Sequence, residues 1–223
     1  MIMNVKLISY SEPDGSMPAD IDDIQDLIAY CARVSNPSNQ TNTETSEKLI
    51  QYLAKHKHWS PFEMVSACLE IETTRDIARQ ILRHRSFSFQ EFSQRYANPT
   101  QELDFVLRDA RMQDTSNRQN SIETDNTALQ TLWEEQQRFI IASAKSAYDW
   151  AIVNGIAKEQ ARAVLPEGLT ASRLYMNGTI RSWIHYIELR SANGTQKEHM
   201  EIAKQCAVEL AKIFPMIREY VQQ

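Results

Sequence analysis

The sequence predicts an α+β fold, with helices packed on a mixed, mostly antiparallel sheet. Residues 64–73 alternate cleanly. Val65, Ala67, Leu69 and Ile71 take one face, and Ser66, Cys68, Glu70 and Glu72 the other, as in a half-buried strand. Other stretches carry apolar residues three and four apart, as amphipathic helices do.

Along the chain, residues 3–10 read as a first strand, closed by the turn cluster Ser11-Glu12-Pro13-Asp14-Gly15. Residues 20–34 place Ile21, Ile24, Leu27, Ile28 and Cys31 at helical spacing, with acidic residues near the start, where the helix dipole favours them. Residues 35–42 form a polar loop, and a second helix spans about 43–56, with Leu49, Ile50 and Leu53 inward. After the alternating strand, a helix follows directly over 74–84. Residues 92–100 and 103–111 read as short extended pieces, and 109–125, nearly free of apolar residues, as a mobile loop able to order against a ligand. The longest helical pattern covers 125–154, with Leu129, Leu132, Trp133, Gln136, Phe139, Ile140, Ser143, Ala144 and Ala147 recurring at three and four, and Gly155 ends it. A short helix, 158–164, stops at Leu165-Pro166. A strand over 170–176 then leads through Asn177-Gly178 into a helix over 179–190, and a last helix spans 196–214.

A length of 223 residues suits one domain, so 1–223 is read as a single unit. Hydrophobic content of 42% and charge of 24% are ordinary for a globular protein, and a net charge of −5 opposes a general nucleic-acid binder. The N-terminus lacks the apolar core of a signal peptide, and no run reaches the roughly 18 apolar residues of a membrane span. The expectation is a cytoplasmic protein that binds neither membrane nor nucleic acid. Cys31, Cys68 and Cys206 have no CxxC partner or adjacent His, so reduced, structural thiols are expected rather than a catalytic thiolate. His56 and His58 lack a convincing third ligand, so no metal is expected.

The most informative stretch is residues 83–96. It packs three arginines, a histidine, three serines and one carboxylate into fourteen residues. Arginine's planar fork suits bidentate capture of phosphate or carboxylate. Upstream, Arg75, Arg79 and Arg83 recur every four residues and so share a helix face. Like charges at that spacing repel by roughly 0.2–0.5 kcal/mol per pair, a penalty a bound phosphate would more than offset. The bland alternative is a solvated basic face. Ile77, Ala78, Ile81 and Leu82 weigh against it, because they hold the helix against the body of the protein.

Arg83-His84-Arg85, seven residues and then Ser93 resemble the RHR-x7-S signature of the flavin-dependent thymidylate synthases. Pro61-Phe62-Glu63 upstream fits the same family. So do Ala161-Arg162-Ala163-Val164-Leu165-Pro166, Asn177-Gly178-Thr179-Ile180-Arg181-Ser182-Trp183, Leu189-Arg190 and Gln196-Lys197-Glu198 downstream. Met64 and Gln90 depart from it, standing where many relatives carry histidine and asparagine.

The resemblance implies a single domain of that type and methylation of dUMP to dTMP. Methylenetetrahydrofolate would supply the carbon, and a tightly bound FAD, reduced by NADPH, the hydride, without a cysteine nucleophile. It implies a homotetramer whose active sites draw on several subunits. For dUMP it implies Arg79, Gln80, Ile81, Leu82, Arg83, Glu91, Phe92, Ser93, Gln94, Arg95, Arg162 and Arg190, the last as the catalytic arginine stabilising an ionised uracil. For FAD it implies His58, Ser60, Arg83, His84, Arg85, Glu91, Thr179, Ile180, Arg181 and His185. Ser93 is read as a ligand contact, not a nucleophile, because no base stands beside it in sequence. The competing reading is a non-enzymatic nucleotide- or RNA-binding protein that stacks bases on Phe87, Phe89, Phe92 and Tyr96.

Overall fold

The computed structural model describes residues 3–222. The alternating stretch forms strand β2, Ser66–Thr74, at the centre of a four-stranded sheet with β1, Asn4–Tyr10, β3, Ser88–Glu91, and β6, Ala171–Thr179. The order is β1-β2-β6-β3, and every neighbouring pair is antiparallel, so the sheet carries no parallel pair among the described residues. Ala67 faces Gly178, Leu69 faces Met176 and Ile71 faces Leu174 across β2 and β6, which places one apolar row on one side of the sheet. The opposite side carries Glu72 against Arg173 (2.6 Å) and Glu70 against the Tyr175 hydroxyl (2.6 Å), cross-strand pairs that tolerate water.

Helices cover the apolar row. They are α1, Ile24–Ala32, α2, Ser46–Lys55, α3, Arg75–Ile81, α7, Ile180–Arg190, and α8, Lys197–Leu210. Their buried residues, among them Ile28, Ile50, Ile77, Ile81, Trp183, Ile187, Ile202 and Leu210, join the strands in one core. Both central strands run straight into a helix, β2 into α3 and β6 into α7. Thr179 caps the second junction, accepting from Ser182 N at 3.3 Å. The two helices therefore leave opposite ends of an antiparallel pair.

Several expectations give way. Asn177 and Gly178 lie inside β6 rather than between the strand and the helix, and Gly178 sits under the Phe87 ring, which leaves no room for a Cβ. The strand expected after residue 92 is β3, a few residues earlier, and 99–102 forms a single helical turn, α4, Pro99–Glu102, capped by Asn98. The polar stretch 109–125 is a two-stranded ribbon, β4, Arg111–Gln113, and β5, Ser121–Glu123. The segment entering it is pinned by side chains of α5, Thr127–Val153. Gln137 exchanges two 2.8 Å bonds with the Arg108 backbone, and Gln130 binds Ala110 N and O at 2.6 and 3.0 Å.

Helix α5 departs further. Its buried positions are Gln137, Ala144, Tyr148 and Ala151, while Leu132, Trp133, Phe139, Ile140, Trp150 and Val153 face outward. A short helix, α6, Lys158–Ala161, and a 3-10 turn follow it. No helix among the described residues is long and apolar enough to cross a membrane.

Candidate nucleotide and flavin site

The strand-to-helix junctions set two groups of arginines with contrasting surroundings. Arg75, the first residue of α3, is 7% exposed. Its guanidinium lies 3.6 Å from Glu91 and 3.8 Å from Glu167, and Arg79, one turn on, lies 3.4 and 3.2 Å from the same carboxylates. Ser172 donates at 2.8 Å to Glu91 Oε1, the oxygen that Arg75 faces. Burial works against the Arg75 charge and lowers its pKa, with Glu91 the leading compensation. The repulsion expected along the 75–79–83 row is thus relieved by two carboxylates of the chain itself.

Past the end of α3 the surroundings change. Arg83, Arg85, Arg162 and Arg190 make no ion pair with a carboxylate of the described residues. Arg83 and Arg85 stand exposed on the turn that follows α3. Arg190, the last residue of α7, reaches that turn from 106 positions away and donates from Nε to His84 Nε2 at 2.9 Å. His84 is therefore an acceptor and neutral. Burial, then the Arg190 charge, pushes its pKa down to about 4. The remaining Arg190 N–H groups have no partner among the described residues.

Gln80 lies one turn before the RHR turn, its amide between Gln196 (2.8 Å) and His199 (3.3 Å). Ile81 is buried and Leu82 half-buried, so both hold the end of α3 down rather than offer side-chain chemistry. Phe92 N donates to Arg173 O at 2.8 Å. The hydroxyl of Ser93 accepts from Arg95 N at 3.4 Å and has no basic side chain bonded to it. Gln94 is 3% exposed with its Nε2 unpartnered. Arg95 leans on Glu159 at 3.1 Å, next to the Arg162 turn, and Lys158 ties Tyr96 O at 2.9 Å.

The residues expected around the flavin fall on two neighbouring surfaces. Arg85, Ser86, Phe87, Ser88, Asn177, Gly178, Thr179 and Ser66 line an open cleft of about 340 Å³ that contains no carboxylate. At its other side the 58–63 segment meets α7. Trp59 packs edge-on against His185 with ring centres 4.9 Å apart, and Glu63 pairs with Arg181. Ser60 opens this segment's 3-10 turn, His58 is exposed beside Tyr52 and His56, and Ile180 is buried beneath them. The cleft's donor set of Arg85, hydroxyl and backbone groups, without an acid in its lining, fits a phosphate-bearing cofactor, whereas Arg181 on the adjoining surface is already paired with Glu63.

Several residues escaped the sequence reading. Ser172 bonds Glu91, and Glu167 shares Arg75 and Arg79 with it. Tyr186, His199 and Arg111 sit behind Gln80. All lie far apart in the chain, and no local pattern joins them.

Comparison with known proteins identifies the family. The profile of the family described as thymidylate synthase complementing protein matches residues 18–216. A probable flavin-dependent thymidylate synthase of Paramecium bursaria Chlorella virus 1 is 48% identical over 96% of this chain and 97% of its own length. The flavin-dependent thymidylate synthase of Synechocystis sp. is 45% identical over the same shares. The crystal structure of a UMP/dUMP methylase, PolB from Streptomyces cacaoi, bound with 5-Br dUMP, superposes with a TM-score of 0.80 at 25% identity, covering 98% of this chain and 93% of that one. A carboxylate-free arginine turn met by a helix-terminal arginine thus sits on the fold of a nucleotide methylase, and the chain belongs to the thymidylate synthase complementing protein family, that of the flavin-dependent thymidylate synthases.

Proposed function

We propose that this chain methylates dUMP to dTMP, taking the carbon from methylenetetrahydrofolate and using FAD reduced by NADPH, as one domain spanning 1–223. The observation that carries the reading is the junction of Arg190 with the RHR turn, a cation held in place at 2.9 Å from a neutral His84 and without a counter-ion among the described residues. A fixed, unneutralised guanidinium favours an electron-rich uracil, the form that must attack carbon. Arg79, Gln80, Arg83, Glu91, Ser93, Gln94, Arg95 and Arg162 would hold the nucleotide, the unpartnered Gln94 amide among them. Because Arg79 shares its carboxylates with Arg75, it would position Glu91 as much as touch phosphate.

FAD supplies the redox chemistry that the side chains cannot. His84, Arg85 and Thr179, with His58, Ser60, Arg181 and His185 at the adjoining surface, would bind and orient it. None of the three cysteines suits a nucleophile's role, because burial raises the pKa of Cys31, Cys68 and Cys206 alike. Ser93 has no base to activate it and serves as a contact.

The open cleft encloses no dinucleotide by itself, and α5 turns an apolar row outward. Both support a homotetramer in which one subunit's turn faces another's late helix. A cytoplasmic location fits such an enzyme.

The test is direct. Purified protein should be yellow or become so with FAD, bleach with NADPH, and convert dUMP to dTMP only when methylenetetrahydrofolate is present. Colourless protein with steeply salt-dependent affinity for nucleic acid would favour the binding-protein alternative.

A further inference from the structure

Behind Gln80 runs a file of polar groups that the reaction above leaves without a task. Tyr186 is 1% and His199 0% exposed, and the Tyr186 hydroxyl lies 3.1 Å from His199 Nε2. His199 Nδ1 is 3.3 Å from Gln80 Oε1, and Gln80 Nε2 donates to Gln196 Oε1 at 2.8 Å. Gln196 Nε2 in turn donates to Glu198 Oε2 at 3.0 Å. The other Glu198 oxygen takes Arg111 at 2.6 Å, and Arg108 stands 3.8 Å from Oε2.

A glutamine amide has the same outline either way round, so only its partners decide which end is oxygen. Here the decision comes from one terminus. Burial disfavours the Glu198 charge, but a backbone N–H with the Arg111 and Arg108 guanidinia outweighs it, and the carboxyl stays below its ordinary pKa. An ionised carboxylate only accepts. Gln196 must therefore turn its NH2 to Glu198 and its oxygen to Gln80. Gln80 must turn its NH2 to Gln196 and its oxygen to His199. His199 must carry its proton on Nδ1, and Tyr186 must donate to Nε2. Run in the opposite sense, the file would set the Gln196 oxygen against a carboxylate oxygen at 3.0 Å, two acceptors without a proton between them.

We propose that Glu198 is a positioning residue that acts through Gln196 to lock the polarity of the Gln80 amide, leaving one Gln80 N–H as a fixed donor for an acceptor oxygen of the nucleotide. This rests on the reading of Gln80 as a nucleotide ligand. Arg111 belongs to the β4–β5 ribbon, so the ribbon bears on the nucleotide site through the same file.

Histidine-selective 15N NMR, with His199 assigned from the difference against His199→Gln, tests the polarity without any ligand. The expected signal is a neutral ring protonated at Nδ1. In Glu198→Gln that proton should shift partly to Nε2, and dUMP affinity should fall about tenfold with KM rising more than kcat falls. Glu198→Asp should restore most of both. Gln196→Met, which leaves the Glu198–arginine pairs in place, should reproduce the affinity loss should Glu198→Gln fail to fold. A wild-type ring protonated at Nε2 would overturn the proposal. So would unchanged dUMP affinity in folded Glu198→Gln or Gln196→Met. Parent protein that does not bind dUMP at all would instead sink the enzymatic reading, with the tautomer result standing on its own.

Discussion

The two ends of helix α3 carry similar residues in opposite states. At its start, Arg75 and Arg79 share Glu91 and Glu167 and are neutralised by the chain. Beyond its end, Arg83 and Arg85 pair with no acid among the described residues, and Arg190 is brought to them by a neutral histidine. The difference separates cations that build the site from cations left available to a ligand. Both sets look alike as a basic run, and only their partners tell them apart.

The largest effect should come from the available set. Arg190→Ala should keep flavin binding and lose about 10²–10³ in methylation rate, the range seen when a preorganised charge-stabilising donor is removed. Tritium release from labelled deoxyuridylate measures it, and turnover equal to the parent's would remove Arg190 from the chemistry. Arg83→Ala should weaken dUMP binding with little change in melting temperature.

The paired set should respond the other way. Arg75→Met removes one of the two arginines on Glu91, leaves Arg79 and Ser172 in place, and should cost about 1–2 kcal/mol of stability, or roughly 2–8 °C in Tm. Calorimetry that showed no shift would mean that the Arg75 pairs are ornamental.

Acid should erode stability more gently. His84 and His199 are neutral when folded, with pKa values pushed down to about 4 and about 3, by burial first and then the Arg190 charge. The unfolded chain takes up those protons near pH 6.5, so stability is fully present above that pH and is lost as pH falls towards 4 and 3. Melting curves from pH 7 to 4 should fall, and His199→Gln should flatten the slope. An identical slope in that variant would remove His199 as a cause.

The smallest effect is expected from the thiols. Replacing Cys31, Cys68 and Cys206 with Ala or Ser should leave methylation within about twofold, although Cys206 is fully buried and its loss opens a small cavity. A folded, wholly inactive triple variant would reopen a thiolate mechanism.

Much of the fold was legible. The alternation from Val65 to Glu72 identified the central strand, and its register with β6 confirmed which face was buried. Three departures share one cause. The stretch 109–125 looked like a loop because its ordering comes from the amides of Gln130 and Gln137 on a later helix. Gly178 was placed between a strand and a helix, yet it lies in the strand, where Phe87 occupies the space a side chain would need. The α5 stripe, legible as a helical pattern, points outward, because spacing reveals that a face is apolar and not what covers it. In the site, the RHR turn was visible as a local run, whereas the Arg75–Glu91–Ser172 and Gln80–His199 groupings were not.

Local sequence alone determined which segments could be strand or helix and where an unusual density of anion-binding side chains lay, because periodicity and composition act over a few residues. Tertiary structure alone decided which arginines would be spent on carboxylates and which way the buried amides would point. Those outcomes depend on partners that only the fold brings together, several of them more than eighty residues away in the chain.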